Sequence, residues 1–284
     1  MFTQNPFAGL AGMELTGSIT PGVMQGYIIL MVILVALGTI LDMWHKKSAK
    51  YFFEKSKKWE REAKRQVSGG EKFGLLIKTI LSEVLTSSEF CYTPRRISHL
   101  LTMYGFVIFV VTTAMIIFGA DTSSGTLPFL WHLGALMLAI GGYWFWFFIR
   151  VDVSAEGHKW YQVHRDDLFI VSLITMATFA LLWSFFQNGG SEGWALLFFA
   201  LFIISATTLF GTVLWSKFAH MFFKPAAAFE KRIRKADGTR DNLPDDYDPR
   251  DPAVQAKFPD LPTYMGKNPP NMGLGIKRET PRHY

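Results

Sequence analysis

Five long stretches of the chain are almost free of charged residues, and each is long enough to cross a lipid bilayer. A transmembrane helix needs about 20 apolar residues. The fifth stretch carries no charge before Lys217, and none of the five shows the alternating polarity of membrane barrel strands. The pattern therefore predicts an all-α integral membrane bundle of five transmembrane helices, which are Val23–Met43, Ile97–Gly119, Phe129–Ile149, Leu168–Phe186 and Trp194–Phe223.

Local signals predict where some helices begin and end. Thr93 suits a helix N-cap and Pro94 suits the first helical position, so we expect the second helix to begin near Pro94. The fifth helix is predicted to run past His220 and to end near Pro225. Between the first two spans, residues 71–88 repeat apolar side chains at helical spacing. They predict an amphipathic helix that lies either along the inner membrane surface or against a soluble partner.

Composition and charge agree with the membrane class and add an orientation. Half of the 284 residues are hydrophobic. Lysine and arginine are dense in loops 44–96 and 150–167, whereas turns 120–128 and 187–193 contain none. The positive-inside rule therefore predicts an N-terminus outside and a C-terminus on the inner, cytoplasmic side of the membrane. The net charge of +6 reflects this bias and does not indicate nucleic-acid binding.

The chain divides into three predicted parts. Residues 1–21 form an external arm, and residues 22–225 form the membrane domain, which includes the inner loop 44–93. Residues 226–284 are rich in Pro and Asp, and they are predicted to form an extended cytoplasmic tail that wraps a partner. The single cysteine, Cys91, excludes a disulfide within the chain and an iron–sulfur cluster bound by this chain alone.

Two of the seven histidines are candidate metal ligands. His99 and His220 each lie five residues inside the predicted inner ends of helices two and five, which is about 7–8 Å at the helical rise. These helices run in opposite directions, so both imidazoles are expected at one depth, as ligands on opposite faces of one haem iron would be. The other histidines are interpreted as flanking, interfacial or surface residues: His45, His132, His158, His164 and His283.

The neighbours of this pair allow two interpretations. Arg95, Arg96 and Lys217 lie on the same side of the membrane and are suited to pair with haem propionates, or they are ordinary positive-inside flanks. Gly105 and Gly211 are small enough to admit a flat macrocycle, but glycine is also common where membrane helices pack closely.

Two motifs carry a family resemblance. RRISHLLTMYGF at 95–106 and WSKFAHMFFKP at 215–225 resemble the membrane cytochrome b subunits of the respiratory nitrate reductase gamma-subunit type. Within that group the chain is most similar to the membrane domain of the quinone-interacting oxidoreductase and to the membrane anchor of dissimilatory adenylylsulfate reductase. The resemblance covers roughly residues 20–225.

The resemblance implies one b-type haem rather than two. Dihaem members of the family carry two histidines on each of the second and fifth helices, and His99 and His220 match the cytoplasmic-side pair. The outer-side partners fall at Phe109 and Phe202, which are phenylalanine here. We therefore expect the second haem to be missing.

The expected function is that of the electron-transfer and anchor subunit of an oxidoreductase complex. By resemblance, it carries electrons between a soluble flavin and iron–sulfur enzyme, adenylylsulfate reductase, and a membrane quinone. Tyr104, Lys159 and His164 are candidates for hydrogen bonding or proton delivery to the quinone. The alternative is a haem-free anchor that docks the soluble reductase at the membrane. A small transporter fits less well, because the spans lack acidic residues at mid-depth.

Overall fold

A computed structural model describes most of the chain. The described residues are 2–8, 19–46, 48–88, 90, 92–152, 157–216, 218, 220–240, 248–266, 272–273 and 276–277. Only the backbone is described for residues 46, 48–51, 53, 220, 264, 265, 272–273 and 276–277. Most of the predicted external arm and much of the C-terminal tail lie outside this part of the chain, as do Cys91 and Lys217.

The five predicted membrane helices are confirmed, and the protein is an all-α, multi-pass membrane protein. Each helix is long and apolar enough to span a bilayer. The second begins at Thr93, beside the predicted Pro94 start. The third continues into a π-helical turn, Phe145–Ile149, and the fourth follows a 3₁₀ turn, Arg165–Asp167. The five helices are α1 (Pro21–Lys46), α4 (Thr93–Ile117), α5 (Thr126–Trp144), α6 (Leu168–Asn188) and α7 (Glu192–Gly211).

Glycines permit a close backbone contact between α4 and α5. A Cβ atom at Gly134 would lie 2.7 Å from the backbone nitrogen of Phe109, and one at Gly105 would lie 2.7 Å from that of Leu138. At Gly141 a Cβ would meet the backbone of α4 at Ser98. The two backbones therefore touch in antiparallel orientation, and small residues are what permit this approach. Gly105 serves helix packing here.

The first and fifth spans run in the same direction. Tyr27 donates a hydrogen bond to the carbonyl of Ile203, and further along α1 Gly38 lies against Val213, two residues beyond the end of α7. At the other end of the bundle α1 meets the end of α4, where Gln25 donates to the carbonyl of Ile117. These contacts fix the register of α1, whose remaining surface is largely exposed and apolar, as expected for a lipid-facing helix.

The prediction that the fifth helix runs past His220 to Pro225 is wrong. Helix α7 ends at Gly211, a short turn follows, and a new helix, α8 (His220–Ala236), contains Pro225 in its interior. Glycine is a poor helix former, and the hydroxyl of Thr212 bonds back to the carbonyl of Thr208. No charged residue occurs in this turn before Lys217, so the apolar pattern alone does not indicate the break.

Residues Tyr51–Thr93 and Lys224–Tyr284 form a second compact unit, distinct from the bundle of residues 1–50 and 94–223. It contains most of α2 and α8, and residues 226–236 are helical in α8, where an extended tail was predicted. Within this unit Arg232 pairs with Glu83, and Ser56 donates to Glu230. The other elements are α2 (Ser48–Arg61), α3 (Gly69–Thr79), a π-helical turn (Ile80–Leu85), α9 (Pro252–Lys257), α10 (Asp260–Met265) and a two-residue pairing of β1 (Met272–Gly273) with β2 (Ile276–Lys277).

Candidate functional site

The first candidate ligand, His99, lies where α4 packs closely against α5. Its neighbour Ser98 is buried and donates a 2.8 Å hydrogen bond to the carbonyl of Gly141 on α5. Thr102 bonds back to the carbonyl of Ser98, and Gly141 leaves no space between the two helices here. The side of α4 that carries Ser98 packs directly on α5. His99 is the next residue, so its side chain lies on an adjacent side of the helix. Its side chain is partly buried.

The segment that leads to the second candidate, His220, meets α4 through aromatic rings. Phe218 is buried, and its ring centroid lies 6.5 Å from that of Phe106 and 6.0 Å from that of Phe210. Phe106 follows His99 by seven residues, so the two share a face of α4. The chain elements that carry the two histidines therefore converge at Phe218, two residues before His220.

The predicted common depth of the two histidines assumed an unbroken fifth helix. Helix α7 instead ends at Gly211, and His220 is the first residue of α8. The imidazole of His220 lies outside the described part of the structure, so the pairing with His99 stays a prediction. The convergence at Phe218 comes from the turn after Gly211, not from a continuous helix.

Of the three cationic residues predicted near this pair, the structure describes two. Arg95 and Arg96 lie in the first turn of α4 and are partly buried, while Lys217 lies outside the described residues. Among the described residues, no group of three or more His, Cys, Asp or Glu side chains is arranged to hold a metal ion. A bis-histidine haem site requires only two protein ligands, so His99 and His220 remain the candidate set.

A cluster of large aromatic rings occupies the bundle around Phe109 and Phe202. These two rings meet edge to face with centroids 6.2 Å apart, and both side chains are buried. Trp131 lies 5.1 Å from Phe109, and Trp183 stacks on Phe202 at 5.8 Å. Indole nitrogens are satisfied at the edges of this cluster, where Trp131 donates to Thr113. Positions 109 and 202 are thus filled by tight apolar packing.

The loop between the third and fourth spans is organised by a buried arginine. Arg150 is fully buried and forms a two-pronged ion pair with Asp167 through its Nε and Nη2 atoms. Its Nη1 donates to the carbonyl of Lys159 and its Nη2 to that of Gln162, while the guanidinium lies 4.3 Å from the ring of Trp146. A single side chain therefore holds both ends of the loop.

The three quinone candidates lie in two places. Tyr104 is on α4 and is 38% exposed, whereas Lys159 and His164 are exposed residues of the loop that Arg150 organises. The ring of His164 lies 4.6 Å from that of His158, which pairs two loop histidines. The ammonium group of Lys159 lies over the ring of Tyr161.

His132 has a structural role inside the bundle rather than at its surface. It is fully buried, and its Nδ1 lies 2.7 Å from the carbonyl of Pro128 while its Nε2 lies 2.7 Å from the hydroxyl of Ser184. A carbonyl only accepts, so Nδ1 carries the proton and Ser184 donates to Nε2. This hydrogen bond ties α5 to α6.

Sequence reasoning did not single out several buried charged groups, among them Arg150, Asp167 and Asp42. Arg150 and Asp167 bound a loop whose basic composition indicates only a cytoplasmic side, although an arginine directly after an apolar run is a signal for a buried pair. Asp42 is 3% exposed on α1, one turn beyond Gly38, which contacts Val213. An acidic residue buried within a membrane span is costly and is usually retained for function.

Comparisons with known protein families, with curated proteins and with solved structures return no match to this chain.

Proposed function

We propose that this protein is the membrane subunit of a redox complex, and that it carries electrons between a soluble enzyme and the quinone pool through one b-type haem. The observation that carries the proposal is the convergence of α4 and the turn before α8. The contact of Phe106 with Phe218 brings the segments that bear His99 and His220 to one region of the bundle.

The residues in this region fit a haem. His99 and His220 would hold the haem iron, and this ligation would satisfy imidazoles that are costly to place alone in a membrane protein. Phe106, Phe210 and Phe218 supply an apolar, water-excluding wall suited to a porphyrin face. When bound, the haem supplies one-electron chemistry, and the protein tunes its potential through ligands and burial.

Charged residues would orient the haem edge. Arg95 and Arg96 occupy the first turn of α4, about 4–6 Å along the axis from His99 at the helical rise. Together with Lys217 they would pair with the propionates. This arrangement would direct the propionates toward the end of the bundle where α4 begins, which the charge distribution predicts to be the cytoplasmic side.

The direction and partner of electron flow rest on the family resemblance. On that basis, a soluble adenylylsulfate reductase with flavin and iron–sulfur clusters docks on the cytoplasmic side, and electrons from sulfite oxidation pass through the haem to a quinone. Tyr104, Lys159 and His164 remain the candidates for quinone hydrogen bonding or proton delivery. The membrane protein itself performs no substrate chemistry in this account.

The test is the haem content of the purified chain. A pyridine haemochrome assay on protein in detergent should give about one b-type haem per chain, which is the stoichiometry of a bis-histidine site. His99→Ala and His220→Ala should each abolish the Soret band. His45→Ala is the matched control, because His45 is exposed at the end of α1 and should leave haem content unchanged. Unchanged haem in both ligand variants would refute the assignment.

A haem-free anchor is the second candidate function. The observation that favours it is the second compact unit, residues 51–93 and 224–284, which has its own internal contacts and ion pairs. Such a unit is suited to hold a soluble enzyme without any redox role. A colourless protein that still recruits the reductase to membranes would support the anchor and exclude the cytochrome.

A further inference from the structure

Helix α3 and the π-helical turn after it carry a continuous row of exposed apolar side chains, which we call the α3 stripe. Phe73 is 65% exposed and Leu81 is 54% exposed. Soluble surfaces seldom expose large apolar groups in an unbroken row, so such a row normally has an occupant. The stripe consists of Phe73, Leu76, Ile77, Ile80, Leu81 and Leu85.

The helical geometry keeps these side chains on one side. Phe73, Ile77 and Ile80 follow the spacing of three and four residues that places side chains in line on an α-helix. A π-helical turn closes hydrogen bonds five residues apart, so Ile80 and Leu85 also share a side. The turn therefore extends the stripe as far as Leu85. Just beyond it, Ser87 has a left-handed backbone conformation, and the helix does not continue.

The opposite side of the helix is already engaged within its own unit. Thr79 is buried, and Arg232 of α8 donates hydrogen bonds to both Ser82 and Glu83. Since these contacts hold one side of the helix, the α3 stripe is directed away from α8. The stripe needs a partner that comes from outside this packing.

We propose that the α3 stripe lies in the interfacial layer of the lipid bilayer. Helix α3 belongs to a segment bounded at both ends by membrane-spanning helices, since α1 ends at Lys46 and α4 begins at Thr93. Both ends of the segment are therefore held at the membrane, and the bilayer is the nearest apolar phase. An amphipathic helix in this position buries its apolar face at the boundary of headgroups and acyl chains.

Charge on the helix is compatible with an anionic lipid surface. Both acidic side chains are paired, Glu71 with Arg65 and Glu83 with Arg232. The hydrogen bonds from Arg65 also lower the pKa of Glu71, so this carboxylate stays ionised and paired at neutral pH. The lysines beside the stripe, Lys72 and Lys78, are exposed, and the ammonium group of Lys72 lies 4.0 Å from Glu60 at the surface. In the proposed placement both lysines would lie near lipid phosphates.

Spin labelling tests this placement in the full chain. Phe73→Cys and Leu81→Cys, each on a Cys91→Ser background, are labelled with a nitroxide in nanodiscs of phosphatidylcholine and phosphatidylglycerol. Lys78→Cys is the matched control on the polar edge of the same helix. Oxygen concentrates in lipid and a nickel chelate stays in water. We expect the ratio of oxygen to nickel relaxation to be several-fold higher at positions 73 and 81 than at position 78.

Two results would overturn the proposal. Equal nickel accessibility at all three positions would mean that the stripe faces water in the isolated protein and is reserved for a soluble partner. Shielding of positions 73 and 81 from both reagents would mean that protein covers the stripe, either this chain or a second copy. Leu76→Cys provides an independent position on the stripe, at which the same ratio must be found.

Discussion

The ring of Phe109 on α4 meets the ring of Phe202 on α7 edge to face, with centroids 6.2 Å apart and planes at 88°. These are the two positions at which the family resemblance would put the ligands of a second, outer haem. They face each other across the bundle, but they carry phenylalanine, and Trp131 and Trp183 fill the space around them. Aromatic packing therefore occupies the two positions that the resemblance assigns to an outer pair of ligands, and the number of haems stays a prediction.

Removal of one of these rings should destabilise the bundle. Phe109→Ala leaves a cavity among rings that pack at van der Waals distance, and a buried Phe→Ala change costs about 3–5 kcal/mol. We expect a clear fall in the thermal unfolding temperature measured by tryptophan fluorescence in detergent. Phe118→Ala is the control, because Phe118 is 52% exposed near the end of the same helix. Equal effects of the two changes would show that the cluster contributes no special stability.

Alanine should destabilise the bundle at a glycine in the contact between α4 and α5, but not at a glycine on the open side of α1. Gly134→Ala places a Cβ 2.7 Å from the nitrogen of Phe109 and 3.0 Å from the carbonyl of Gly105, so the backbones must separate. Overpacking of this kind costs about 1–3 kcal/mol. In contrast, a Cβ at Gly26 on α1 meets no atom within 4 Å, and Gly26→Ala should leave stability unchanged or slightly raise it. Thermal unfolding of both variants, side by side, checks the prediction.

Loss of Arg150 should release the loop between α5 and α6. Arg150→Met leaves the nearly buried carboxylate of Asp167 and the carbonyls of Lys159 and Gln162 without their donor. Removal of one partner of a buried pair costs about 3–5 kcal/mol. We expect much faster chymotrypsin cleavage after Trp160 and Tyr161, because the loop loses its fixed backbone.

Three further variants test whether the forked hydrogen bonds of Arg150 hold that loop in place. Arg150→Lys should not rescue it, since lysine cannot reproduce the fork that bonds Asp167 and two carbonyls. The double change Arg150→Met with Asp167→Leu should recover part of the stability, because it removes the unpaired carboxylate. Arg165→Met, at an exposed position, should be cleaved like the unmodified protein. Slow cleavage of Arg150→Met would show that the loop is held by other contacts.

The sequence by itself determined the class of fold and the number of spans, because transfer of apolar side chains from water to lipid depends on composition and length alone. The same reasoning located the start of α4, where Thr93 and Pro94 give a local signal, and the amphipathic character of α3. These features depend on residues close in the chain. They can therefore be predicted without knowledge of what packs against them.

Only the tertiary structure decided how those helices meet and where the fifth one breaks. The turn after Gly211 lies within an apolar run, and a lipid-soluble segment can bend wherever neighbours satisfy its backbone, so hydropathy does not report it. The pairing of Arg150 with Asp167, the burial of Asp42 and the contact of Phe109 with Phe202 all depend on residues distant in sequence. Such contacts are selected by shape and charge in three dimensions, and a local pattern can mark one member of a pair but does not identify its partner.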